Sequence, residues 1–243
     1  MGATRNRLLD SLPADARGLV EPYLQPVAFS HGQVLFEAGD PIPQVYFVER
    51  GILSIVTVMH DGSSVETMTI GREGAAGVGA AFVPMSSFGR VVVQIPGDGQ
   101  RIEVARLRDA VVASTGLRSM LASYMELTAA EAQQTAGCNA LHHLPARLAK
   151  WLLRCHDRAE TDVLNLTQEF LSEMLGAHRT TVTQVAQGLQ DAGLIRYQRG
   201  RILVLDRAGL EAAACECYAV ITSRWAELDP VLGGGQPGRG PSA

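Results

Sequence analysis

Residues 170–195 read FLSEMLGAHRTTVTQVAQGLQDAGLI, two apolar, helix-patterned runs separated by Gly176. Phe170, Leu171, Met174 and Leu175 give the first run one buried face, and Thr167 ahead of it is a suitable N-cap, its hydroxyl accepting an amide hydrogen bond. Gly176 can adopt the left-handed conformation that ends a helix, and Ala177 is small enough for a tight corner. A second helix is predicted from about His178 to Asp191. Val182, Val185, Ala186 and Leu189 recur at i, i+3, i+4 and i+7 and so face the core. Arg179, Thr180, Thr183 and Gln184 then point outward. The pattern is that of a helix-turn-helix, whose second helix presents side chains to base edges. Arg179 can donate two hydrogen bonds to guanine, and Gln184 can read adenine or hold phosphate. Thr167, Gln168 and Thr181 are short polar donors suited to phosphate oxygens, and His178, opening the second helix, joins the candidate set.

Downstream, residues 193–206, GLIRYQRGRILVLD, read as strand, turn at Gly200, strand: a wing with Arg196, Arg199 and Arg201 near its tip. From residue 145 to 207 nine Lys/Arg face seven Asp/Glu, so the placement of the arginines matters more than their sum. Upstream, Pro145 opens a helix at a position where its missing N–H costs nothing, with Leu148, Trp151, Leu152 and Cys155 on one face. Before it, residues 114–144 are poor in glycine and rich in alanine and form a long helix. Leu117, Leu121, Tyr124, Thr128, Glu131, Thr135 and Cys138 recur at near-heptad spacing. Two readings fit that seam: packing on the chain's own β domain, or a coiled-coil contact with an identical subunit made through Leu117, Leu121, Tyr124 and Thr128.

From Val27 to about Val112 short β-rich runs alternate with Gly and Pro at the spacing of an antiparallel sandwich or barrel. Asp61-Gly62 marks a hairpin between two of the runs. Residues 1–26 read as two short helices interrupted by Pro13 and Pro22. The fold class is therefore α+β. A jelly-roll-like β-roll occupies 1–113, a long helix 114–144 and a winged helix-turn-helix 145–228. The Gly/Pro/Ser-rich residues 229–243 are expected to be a disordered tail.

The chain has 243 residues, 47% of them hydrophobic, and a net charge of −4, so a nucleic-acid contact must come from a local basic patch. No apolar run approaches a membrane span of about 18–20 residues, and the first residues lack the apolar core of a secretory signal. Cys138, Cys155, Cys215 and Cys217 form no C-x-x-C pair, which fits reduced thiols in the cytoplasm. Cys215 and Cys217 read as structural and His142-His143 as a solvated or hinge pair; no metal or cofactor is assigned. Gly-rich phosphate loops, G-x-S-x-G and H-E-x-x-H are absent from the sequence, and His31, His60 and Asp61 make no recognisable triad, so an enzyme is not expected.

The run at residues 29–58, FSHGQVLFEAGDPIPQVYFVERGILSIVTV, resembles the opening of the cyclic-nucleotide-binding β-roll of the Crp/Fnr family of bacterial transcription regulators. Residues 166–206 resemble that family's winged helix-turn-helix, and the likeness spans roughly residues 20–215. It implies a homodimer joined by the long helix and reading double-stranded DNA, with RNA polymerase a partner if the protein activates. The family's base-contacting positions fall on Arg179, Thr180 and Gln184, but Glu and Arg are usual at the last two, so the target sequence should differ. In cyclic-nucleotide members a Gly-Glu-x-Ala-Leu cassette and an Arg-Ser/Thr-Ala hold ribose and phosphate. Here Gly77 is followed by Val78, which cannot accept hydrogen bonds, and Arg90 is offset and followed by Val91 and Val92. The oxygen-sensing members' N-terminal cysteines have no counterpart before Cys138. The expected β-roll ligand is thus an unknown small-molecule effector around Gly77, Val78 and Arg90 rather than cyclic AMP. The alternative is a ligand-binding or scaffolding protein with a degenerate DNA-binding domain.

Overall fold

The computed structural model describes residues 4–159 and 161–228; the expected tail, 229–243, lies outside them. The prolines divide the N-terminal segment as anticipated: α1 (Arg7–Asp10), then α2 (Ala14–Val20) with Pro13 at its N-cap, then a 3-10 turn containing Pro22. The roll is built from β1 (Gln25–Phe29), β2 (Val34–Phe36), β3 (Gln44–Val58), β4 (Ser64–Ile70), β5 (Ala75–Ala76) and β6 (Arg90–Glu103). They form one antiparallel sheet ordered β1-β6-β3-β4, with β2 on β6 and β5 on β3. The β3–β4 hairpin turns at Asp61-Gly62: Met59 N–H reaches Ser63 O at 2.8 Å and Gly62 has φ +85°. β6 runs as one long strand because Gly97 and Gly99 admit close approach; a Cβ on either would collide with the carbonyl oxygens of Arg50 and Phe47.

Two features depart from the sequence reading. Val104–Ala113, placed with the β-rich region, is a helix, α3, that buries Val104, Leu107, Ala110 and Val111. Its β-branched, apolar composition suits either state; the helical spacing of these four decides it. The second departure concerns α4 (Thr115–Leu141), opened by Ser114, whose hydroxyl accepts from Leu117 N–H at 3.0 Å. Leu117, Leu121 and Tyr124 are 0–2% exposed within a single chain, packed into the core shared with the roll and α3. The Tyr124 hydroxyl donates to Ala75 O and accepts from Ala75 N–H, both at 2.9 Å. Thr128 is half-buried and donates to Met125 O at 2.8 Å. The first of the two readings of the seam therefore describes Leu117, Leu121 and Tyr124, because side chains already buried in their own subunit have no surface left for another, whereas Thr128 keeps part of its surface.

The C-terminal part comprises α5 (Leu144–Ala159), β7 (Val163–Asn165), α6 (Gln168–Leu175), α7 (Arg179–Asp191), β8 (Ile195–Gln198), β9 (Arg201–Val204), α8 (Arg207–Ala213) and α9 (Cys217–Leu228). β7 adds to the wing to give the order β7-β9-β8. α9 folds back on α4, where Trp225 Nε1 donates to Glu131 Oε2 at 2.8 Å.

This part packs on the roll through one core: Ile52, Val56 and Val92 join Leu148, Leu152, Leu171 and Met174. A buried polar seam lies beside it. Glu66 accepts from Trp151 Nε1 and Ser54 Oγ, each at 2.7 Å. Arg158 pairs with Glu73 at 2.7 Å and Arg154 with Glu131 at 2.6 Å. Burial pushes the Glu66 carboxyl up to about 7, although both hydrogen bonds and the charges of Lys150 and Arg158 oppose it.

Candidate nucleic-acid interface

α6 begins at Thr167, whose hydroxyl accepts from Phe170 N–H at 3.2 Å. Leu171, Met174 and Leu175 are buried; Phe170 is half-buried, its ring 6.1 Å from that of His31 on the roll. Gly176, at φ +57°, ends the helix, and the amides of Gly176 and Ala177 satisfy the carbonyls of Glu173 and Ser172 at 3.2 and 3.1 Å. The corner rests against the roll: a Cβ on Gly176 would lie 3.2 Å from Val65 Cγ2, and Ser64 Oγ donates to Glu173 Oε1 at 3.0 Å.

α7 starts three residues after the glycine. Val182, Ala186 and Leu189 are buried and Val185 is half-buried, as the spacing requires. His178 takes the N-cap position, but its side chain makes no capping hydrogen bond. The first amides of α7 are thereby left to an outside acceptor, and the helix dipole favours an anion there. His178, Arg179, Thr180, Thr181 and Gln184 are all exposed. Thr183 is half-buried and gives its hydroxyl proton to Arg179 O at 2.9 Å, so it retains only acceptor capacity toward a ligand. Thr167 is exposed and Gln168 half-buried at the start of α6.

The wing turns on Arg199 and Gly200, at φ +50° and +73°, the left-handed pair of a tight two-residue hairpin. Arg199 is the one non-glycine residue with positive φ among the described residues, so a long cationic side chain holds the site where Asn or Gly is least strained. Arg196, Arg199 and Arg201 are exposed, and like Arg179 they make no salt bridge among the described residues. Tyr197, between them, donates to Leu166 O at 3.1 Å; burial raises its phenol, against the nearby charge of Arg179. The exposed residues of α6, α7 and the wing thus offer an open helix N-terminus, four guanidinium groups in no salt bridge among the described residues, and several hydroxyl and amide donors. That chemistry is complementary to a polyanion with readable edges.

The sequence-selected residues of the roll are placed differently. Gly77, φ +89°, precedes a 3-10 turn, and a Cβ there would lie 3.0 Å from Gln44 O. Val78 is 3% exposed and packs in the core with α3 and α4. Arg90 Nε donates to Glu37 Oε2 at 2.9 Å. Val78 serves as core and Arg90 already has its counter-charge.

Residues 26–98 match the family model of the cyclic nucleotide-binding domain, and residues 146–213 that of the Crp-like helix-turn-helix domain. A CRP-like cAMP-activated global transcriptional regulator of Mycobacterium tuberculosis is 26% identical over 210 residues, covering 79% of this chain and 88% of that one. A global nitrogen regulator of Synechococcus elongatus is 22% identical over 196 residues, covering 77% and 88%. Among solved structures, a transcriptional regulator of the Crp/Fnr family from Eubacterium rectale superposes with TM-score 0.69 at 18% identity, covering 85% and 96%. The c-di-GMP responsive global regulator of Xanthomonas campestris gives 0.66 at 16%, covering 79% and 99%. Proteins named for two different cyclic nucleotides are thus similar to this chain, so the likeness leaves the effector open.

Proposed function

Because this chain belongs to the Crp/Fnr family of transcription regulators, we propose that it works as a cytoplasmic homodimer that binds a two-fold symmetric operator through α7 and the wing. Crp-like regulators bind DNA and usually act as dimers. The observation that carries the reading is the set of exposed arginines on α7 and the wing, Arg179, Arg196, Arg199 and Arg201, in no salt bridge among the described residues, together with the uncapped start of α7. Arg179, Thr180 and Gln184 read bases; Thr167, Gln168, His178, Thr181, Arg199 and Arg201 hold phosphates, with Thr183 an acceptor at the margin. The protein regulates rather than catalyses, and it meets RNA polymerase where it activates.

The subunit contact moves to the face of α4 turned away from the roll. Ser119, Ala122, Glu126, Ala129, Gln133, Ala136 and Ala140 alternate by three and four residues, and all are exposed in the single chain. That is a heptad seam of mostly small side chains, which lets two helices approach closely. The roll responds to a small molecule other than cyclic AMP, since Val78 offers no acceptor for a ribose hydroxyl and Arg90 is held by Glu37.

Fluorescence anisotropy with the DNA upstream of the protein's own gene, beside sedimentation of the free protein, tests the reading. Salt-sensitive, sequence-selective binding by a dimer is expected, with Ala129→Glu giving a folded monomer of much weaker affinity. Equal affinity for all duplexes would leave a scaffolding protein with a spent reading head. Micromolar binding of cyclic AMP in calorimetry would mean that the nucleotide uses other groups than these.

A further inference from the structure

At the end of α4 the chain brings together residues that its sequence holds far apart. Cys138 lies in the last turn of α4, and His142 follows the helix one turn on. Cys215 sits between α8 and α9, and Cys217 opens α9. Cys138 and Cys215 are 77 residues apart in sequence, yet their sulfurs are 3.6 Å apart. Cys217 Sγ is 3.5 Å from His142 Nδ1, and all four donor atoms lie within 4.8 Å of one another. The three cysteines are buried and free of disulfides, and the imidazole is half-buried at the rim.

We propose that Cys138, His142, Cys215 and Cys217 form a mononuclear tetrahedral metal site whose natural occupant is zinc. The distances carry the assignment. With Zn–S bonds of about 2.3 Å and Zn–N bonds of about 2.0–2.1 Å, a tetrahedron sets its donor atoms roughly 3.5–3.8 Å apart. The observed 3.6 and 3.5 Å are two edges of such a figure. A cubane iron–sulfur cluster needs a wider cage, because each thiolate binds a different iron. Three thiolates and one imidazole also make a soft donor set that closes all four positions, the composition of structural zinc sites.

The surroundings support the same assignment. His142 turns its other nitrogen, Nε2, to Glu216 Oε1 at 3.1 Å. A carboxylate on the outer nitrogen fixes the tautomer that presents a bare Nδ1 inward, an arrangement common behind metal-bound histidines. Gln134 Nε2 donates to Cys217 Sγ at 3.0 Å, and the charges of Lys150 and Arg147 act on the cysteines from α5, offsetting the negative charge of a three-thiolate site. A plug of buried thiols packed on Ala146 would need neither an inward imidazole nor its carboxylate. The sequence reading, which assigned no metal and took Cys215 and Cys217 as structural and His142 as part of a solvated or hinge pair, kept these elements separate. Cys-x3-His with Cys-x-Cys was the available signal, and only the return of α9 joins the halves.

A bound ion ties the C-terminal end of α4, the joint into α5 and the segment following the wing at one point. It thereby fixes the angle at which the reading head leaves the central helix.

The test uses the full-length chain purified under reducing conditions, without a metal-affinity tag, and none of its readouts involves DNA. Elemental analysis should find one zinc per chain. The stripped protein refilled with Co2+ should show intense visible bands and thiolate-to-cobalt charge transfer, the spectrum of a tetrahedral thiolate site. Cys217→Ser should lower zinc affinity by well over about tenfold, and Glu216→Gln, which spares every ligand, by about tenfold. Should Cys217→Ser fail to fold, the cobalt spectrum of the wild type decides alone. The proposal is overturned by protein that stays empty in excess zinc, by several irons with acid-labile sulfide, or by a Cys138–Cys215 disulfide in the freshly isolated chain.

Discussion

On the outer surface of the reading head, Arg179, Arg196, Arg199 and Arg201 are exposed and make no salt bridge among the described residues. On the side turned to the roll, Arg154 and Arg158 are buried and paired with Glu131 and Glu73, and Trp151 and Ser54 hold Glu66. The same residue type serves two purposes within one small domain. A guanidinium left in water keeps its hydrogen-bonding capacity for a ligand. One taken into the interior must find its counter-charge within the chain, and it then fixes the position of the element that carries it. Arg90 on the roll resembles the inner set in having a partner, Glu37, although it stays partly exposed. Free charge, more than charge count, therefore separates a recognition surface from an internal fastening.

The largest effect should come from the inner set. Arg158→Ala leaves Glu73 and Glu131 without a shared counter-charge and should cost about 3–5 kcal/mol in denaturant unfolding. Loss of under 1 kcal/mol would show that the junction is not held by these pairs.

Next in size is Glu66. Its carboxyl titrates near 7 in the folded chain, above its ordinary value near 4.5, so the folded state binds the extra proton. Stability from this group is therefore fully present below about pH 4.5 and declines as pH rises toward 7, by roughly 3 kcal/mol in all. Glu66→Gln should flatten that part of the pH–stability curve and raise the melting temperature at pH 8. An unchanged slope between pH 5 and 7 would remove Glu66 from the account.

The outer set should act on DNA and leave stability nearly untouched. Arg179→Ala should lose about 1–3 kcal/mol per half-site on the operator and little on random duplex, with unfolding within about 0.5 kcal/mol of wild type. Equal loss on both DNAs would make Arg179 a phosphate contact and shift base reading along α7.

The smallest effect should be at the wing. Arg199→Gly relieves a left-handed residue and should change stability by no more than about 1 kcal/mol, upward if at all. Its DNA affinity should fall on every sequence, with the log–log salt dependence reduced by about one unit per wing. A wing that stays clear of the DNA would leave that slope unaltered.

The reading head was legible residue by residue because its determinants are local. Thr167 caps within its own turn, Gly176 supplies its own φ, and the spacing of Val182, Ala186 and Leu189 fixes which side of α7 faces out. What the sequence left undecided was what α4 packs against. Leu117, Leu121 and Tyr124 have a spacing that suits a partner helix or a sheet equally, and the fold assigns them to the roll. Likewise β7 is too short to declare itself until β9 lies beside it, and α3 carries the β-branched residues of a strand.

The sequence by itself determined the order of roll, long helix and winged head, the corner at Gly176 and the outward placement of Arg179, since each follows from neighbours a few residues away. The tertiary structure alone decided which polar groups stay free. It paired Arg90 with Glu37 and Arg158 with Glu73, buried Val78 and Glu66, and carried Cys215 and Cys217 back to Cys138 and His142. The physical reason is that a charge's partner and a thiol's neighbours are set by long-range packing. Residues 77 positions apart can share one cluster without any trace in local periodicity.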